Sequence, residues 1–112
     1  MKKPKVVIHN KLIRDKVLEI IEKAGNKAIY HIADHNEFRQ KLFEKLQEEV
    51  NEFMENPSSK ELADIDEVLD YIKKVEEFSD FEKTKEKRAK ENGKFEKKII
   101  LEKAINYNKY DW

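Results

Sequence analysis

Between Asp34 and Val75 apolar residues recur at every third or fourth position, broken once at Asn56-Pro57. Phe38, Leu42, Leu46, Val50 and Phe53 form the first run, and Leu62, Ile65, Leu69, Ile72 and Val75 the second. This period belongs to α-helices that each bury one face. Asp34 with Glu37, and Ser58 with Glu61, have the spacing of a capping box, so both helices carry their own start signal. The few residues around Pro57 leave no room for a crossover, and the two helices are expected to lie antiparallel as neighbours.

The rest of the chain extends this pattern with weaker signals. Ile13, Val17, Ile20 and Ala24 have helical spacing, with Asn10 as the expected N-cap and Gly25 as the stop. Ser79 with Glu82 offers a third capping box, opening a polar helix that runs towards Gly93. Residues 5–8 and 28–32 are β-branched and read as short extended segments, each lacking an evident partner strand. Residues 95–101 fit either an extended segment or a helix start, and residues 105–112 form an aromatic-bearing tail expected to pack on something. Charged residues make up 43% of the chain, and Gly and Pro number two each, a balance that favours exposed helices over sheet or disorder. The expected fold class is all-α, a single domain over residues 1–112. A chain this short buries little surface unless a second copy covers more of it, so a homo-oligomer is expected.

Composition also excludes several kinds of chemistry. With no cysteine there is no disulfide, thiolate zinc site or cysteine nucleophile, and the three histidines show no metal-binding spacing. The apolar run at residues 6–8 is too short for a signal peptide or membrane span, which places the expected location in the cytoplasm, away from membranes. Net charge is zero but unevenly spread: +5 over residues 1–33 (eight basic, three acidic), −10 over 34–82 (six and sixteen), and +5 over 83–112 (ten and five). Solvated helix faces account for such blocks in most proteins. A cation-binding centre flanked by anion-binding ends accounts for them as well.

Glu49 is harder to account for as a solvated face. It falls on the stripe of Leu42, Leu46 and Phe53, where a leucine is expected, with Glu48 and Glu52 on the adjoining flank. On the next helix Glu61 edges the apolar stripe and Asp64 lies one turn along on the same side. Clustered, partly buried carboxylates need protonation, basic partners or a divalent cation. Oxygen donors without His or Cys suit Mg²⁺, with Mn²⁺ as a substitute. Alternative roles stay open: Glu61 as a helix cap, Glu48 and Glu52 as surface glutamates paired with Lys45, and Glu67 as a more distant supporting group.

These residues resemble a known family. Glu48-Glu49-x-x-Glu52 followed by Glu61-x-x-Asp64 is similar to the EExxE and ExxD signature of the all-α NTP pyrophosphatases, the MazG and phosphoribosyl-ATP pyrophosphohydrolase group. Residues 10–16 (Asn10-Lys11-Leu12-Ile13-Arg14-Asp15-Lys16), and Lys87-Arg88 with Gly93-Lys94-Phe95, resemble a small single-domain branch of it, so the likeness spans residues 9 to 102 in order. The resemblance implies a four-helix bundle of MazG type, working as a dimer or larger assembly. It implies cleavage of a nucleotide between the α and β phosphates, Mg²⁺ held by Glu49, Glu52, Glu61 and Asp64, and Glu48 orienting or deprotonating the attacking water. One departure is that only eight residues separate Glu52 from Glu61, which leaves little room for a base-reading loop.

Polyphosphate also needs cations, for which Lys11, Arg14, Lys16, Lys87, Arg88 and Lys94 are the candidates; any single lysine among them also fits a solubilising surface role. Asp15 would orient Arg14, and Phe95 would stack on a base or anchor packing. The expected function is Mg²⁺-dependent NTP hydrolysis to monophosphate and pyrophosphate in nucleotide-pool cleaning. The competing readings are phosphoribosyl-ATP hydrolysis and a non-catalytic helical interaction module. Nucleic-acid binding is disfavoured by the neutral net charge and the acidic centre.

Overall fold

A computed structural model of the chain describes residues 3–107. Among these residues the fold is all-α: helices α1 (Val17–Lys23), α2 (His35–Glu55), α3 (Ser59–Ile72) and α4 (Phe81–Asn92), a short 3₁₀ turn at Glu76–Phe78, and no strand. None of the helices is long and apolar enough to cross a membrane. The residues gather into two compact units, one ending at Ser79 and one beginning at Asp80.

The first unit is organised by α2 and α3. Asp34 caps α2, its Oδ1 accepting from the Glu37 N–H at 2.8 Å, and Ser58 Oγ accepts from the Glu61 N–H at 3.2 Å to cap α3. Neither cap closes into a full box. The Glu37 carboxylate turns to His31 Nε2, 2.8 Å away, and the Glu61 carboxylate faces elsewhere. Asn56 leaves helical geometry at φ −144°, and Pro57 follows it, so the chain reverses within residues 56–58. Glu49 meets Glu61 and Asp64, while Phe38 meets Tyr71 edge-on at 6.3 Å between ring centres. The numbering therefore runs in opposite directions, and the pair is antiparallel as its short connection requires.

The core is small. Leu42, Val68 and Val75 are buried, with Leu12, Phe38, Leu46, Ile72 and Phe78 packed partly against them. Val75 lies beyond the end of α3, because the helix stops at Ile72 and a turn carries Val75 back to the core. The returning turn is fastened to α2 by an Arg39–Glu77 ion pair, with the Arg39 guanidinium 4.5 Å above the Phe43 ring and Phe43 6.3 Å from Phe78.

Two helix starts differ from expectation. Asn10 does not cap a helix: it adopts φ +46°, its carbonyl accepts from Lys41 Nζ at 2.7 Å, and α1 begins only at Val17. Residues 10–14 are instead used as a strap across α2 and α3. The Ser79 and Glu82 box does not form either, since Ser79 closes the 3₁₀ turn and Asp80 precedes α4. The stop at Gly25 is as expected: Gly25, at φ +82°, donates to Glu22 O (2.9 Å) and Asn26 to Ile21 O (3.1 Å), a Schellman ending. Residues 5–8 and 28–32 form no ladder, and residues 95–101 are neither strand nor helix.

In the second unit α4 is polar almost all round. Its i,i+4 pairs, Lys87 with Glu91 at 3.8 Å and Glu86 with Lys90 at 3.5 Å, support it locally. Gly93, at φ +78°, ends it. Of the aromatic tail, Tyr107 is exposed, and residues 108–112 lie outside the described part of the chain.

Candidate metal centre

Glu49 sits one helical turn past Leu46 on the face of α2 that α3 covers, and it is 6% exposed, the only buried charged residue among those described. A carboxylate there gives up most of its hydration and needs compensation from its neighbours. Across the hairpin, Glu61 and Asp64 stand on the first turns of α3. Glu49, Glu61 and Asp64 each bring a carboxylate oxygen to within 4.8 Å of the other two, and Glu48, Glu49 and Glu52 do the same along α2. Glu49 is common to both groups.

Four cations surround these acids. Lys11 Nζ lies 3.1 Å from Glu48 Oε1, and Arg14 places Nη2 3.0 Å from Asp64 Oδ1, so the strap reaches one acid on each helix. Lys45 lies 3.3 Å from Glu48 Oε2 and 3.6 Å from Glu49 Oε1. Lys60 lies 3.3 Å from Asp64 Oδ2 and 3.5 Å from Glu61 Oε1. Burial by itself pushes the Glu48 carboxyl up, but hydrogen bonds and charge from Lys11 and Lys45 outweigh it and hold the group below its ordinary value. At Asp64 burial likewise raises the carboxyl, and the hydrogen bonds from Arg14 and Lys60, with their charges, overcome it and lower it.

Two oxygens stay outside this network. Glu49 Oε2 and Glu61 Oε2 are buried and have no hydrogen-bond partner among the described residues. A buried acceptor left unpaired costs about 1–3 kcal/mol, more when charged, so two at one point of the hairpin call for a proton, a water or a cation between them. Formal charge agrees, with five carboxylates (Glu48, Glu49, Glu52, Glu61, Asp64) against four cations. The donor set is all oxygen, which could hold a hard divalent cation. Opposed oxygens around such an ion stand about 4.2 Å apart for Mg²⁺ and about 5 Å for Ca²⁺, so a 4.8 Å spread closes on either with small side-chain movement. The residues fit the ion.

The sequence-predicted residues divide as follows. Glu49, Glu61 and Asp64 converge; Glu52 joins through Glu48 and Glu49; Lys11 and Arg14 arrive at the same cluster. The helix-cap role of Glu61 is carried by its backbone N–H alone, which leaves the carboxylate available to the cluster. Lys16 is exposed, at the residue before α1. Lys87 and Arg88 are exposed on α4 and Lys94 follows it, all in the second unit. Lys60 is not among the sequence-predicted residues, and Lys45 is expected there only as a partner of Glu48 or Glu52. Each stands four residues before an acid of the cluster, Asp64 and Glu49 respectively, a spacing that would have found them. No protein-family model, curated protein or solved structure matches the chain.

Proposed function

We propose that the chain is a Mg²⁺-dependent nucleoside-triphosphate pyrophosphohydrolase of MazG-like type, a cytoplasmic enzyme that clears nucleotides by cleavage between the α and β phosphates. One observation carries the reading: buried Glu49 faces Glu61 and Asp64 across the hairpin, and an oxygen on each glutamate lacks a partner. Glu49, Glu61 and Asp64 would hold the ion, with Glu52 joining from the α2 side. Mg²⁺, or Mn²⁺ in its place, would supply charge neutralisation at the phosphates and a polarised water. Glu48, in one cluster with Glu49 and Glu52, would accept a hydrogen bond from the attacking water and orient it. Lys11 and Arg14 lie beside the acids and would turn to phosphate oxygens. Lys16 is assigned to the polyphosphate by motif alone.

The four-helix bundle and the homo-oligomer belong to the same proposal. Their support is the shortage of core: Met54, Leu62 and Tyr71 on the hairpin are exposed, and Leu62 and Ala63 help to line a shallow depression on α3.

The test is pyrophosphate release from a panel of ordinary and damaged NTPs, dNTPs and phosphoribosyl-ATP, with Mg²⁺ and with chelator. The expected result is Mg²⁺-dependent release from at least one NTP, abolished by Glu49→Gln and by Asp64→Asn with helix content retained. Release from phosphoribosyl-ATP alone would move the enzyme to histidine synthesis. No release from any substrate would overturn the reading in favour of a helical interaction module.

A further inference from the structure

Lys45 and Lys60 stand where a bound cation would compete with them. Lys45 lies 3.6 Å from Glu49 Oε1, and Lys60 lies 3.5 Å from Glu61 Oε1, while the second oxygen of each glutamate is buried and unpartnered. In each glutamate one oxygen faces a lysine and the other is buried without a hydrogen-bond partner. An ion held by the free oxygens alone would stand among four cations, Lys11, Arg14, Lys45 and Lys60, and one that drew in the second oxygen of each glutamate would displace the ammonium groups of Lys45 and Lys60. Polyphosphate oxygens arriving with the ion remove that conflict, because they give the displaced cations anionic partners.

Resting on the pyrophosphohydrolase reading, we propose that Lys45 and Lys60 are exchangeable counterions: they pair with the carboxylates and move to the phosphates when a metal–polyphosphate chelate enters. The site then takes the divalent ion and the polyphosphate as one unit and holds the free ion weakly. The two lysines differ in freedom. Lys60 is 78% exposed at its side chain and swings easily, whereas Lys45, at 19%, moves only its ammonium end.

The experiment uses the full chain and two probes, so that no nucleobase has to be known. Mn²⁺ alone is followed by loss of the aqueous Mn²⁺ electron-spin signal, and Mg²⁺-saturated inorganic tripolyphosphate by calorimetry. Lys60→Met is expected to tighten Mn²⁺ binding about two- to fivefold, the range an exposed competing ion pair spans. The same substitution weakens tripolyphosphate binding, and Lys60→Arg restores it. Lys45→Met shifts the two affinities in the same opposite senses, with circular dichroism reporting an intact fold for each variant.

Opposite shifts support the exchange. Unchanged affinities, or two affinities that weaken together, overturn it and leave Lys60 as a positioning residue while the metal site itself stands. If neither probe binds the unaltered chain, the exchange and the pyrophosphohydrolase reading fall together.

Discussion

Glu49 shows how one residue reports on a whole site. Its place on the stripe of Leu42 and Leu46 was legible from spacing, and it is buried as the spacing implies. Its unpartnered oxygen was not legible, because that depends on which way Glu61 turns from the other helix. Glu48 and Asp64 carry a pH prediction. Both are depressed in the folded chain, so their contribution to stability is fully present above the ordinary carboxylate range of about 4 and is lost as pH falls through their lowered values. Urea midpoints measured from pH 7 downwards should fall most steeply below that range. Arg14→Ala should flatten the fall, because it removes a hydrogen bond that lowers Asp64. A slope unchanged by Arg14→Ala would show that other acids govern acid unfolding.

At the scale of the element, the α2 and α3 hairpin is what gathers the acids. Ser58 does two things there: it accepts the Glu61 N–H, and it starts α3 in a register that turns Glu61 and Asp64 towards Glu49. Ser58→Ala should cost about 0.5–2 kcal/mol of stability, the usual worth of an N-cap, read from denaturant unfolding. Ser58→Asp should recover most of that loss, since a carboxylate also caps and suits the helix N-terminus. The strap at residues 10–14 is the counter-example. Its sequence pattern reads as the start of a helix, yet Leu12 packs against the core while Lys11 and Arg14 pair with acids on α2 and α3. Those contacts outweigh a helical propensity of a few tenths of a kcal/mol per residue.

For the whole molecule, the measure is how little is buried. Only Leu42, Val68 and Val75 are buried apolar residues among those described, while Ile20, Met54 and Leu62 stand more than half exposed. A core of this size gives a marginal fold by itself, and a second copy covering the hairpin would raise its stability. Sedimentation should therefore show a dimer or larger species, with a melting temperature that rises with protein concentration. Leu62→Glu should shift the population towards monomer. A concentration-independent monomer would remove the oligomer from the proposed function.

Local periodicity and capping chemistry were enough to set the helical class, the bounds of α2 and the start of α3, the reversal at Pro57 and the anomalous placement of Glu49, because each depends on residues within a few positions of one another. The contacts of Lys11 with Glu48 and of Arg14 with Asp64, and the return of Val75 to the core beyond α3, join residues far apart in the chain. Nothing in local sequence encodes which distant charge a lysine will meet. That choice follows from where packing leaves each acid, and so only the tertiary structure decided it.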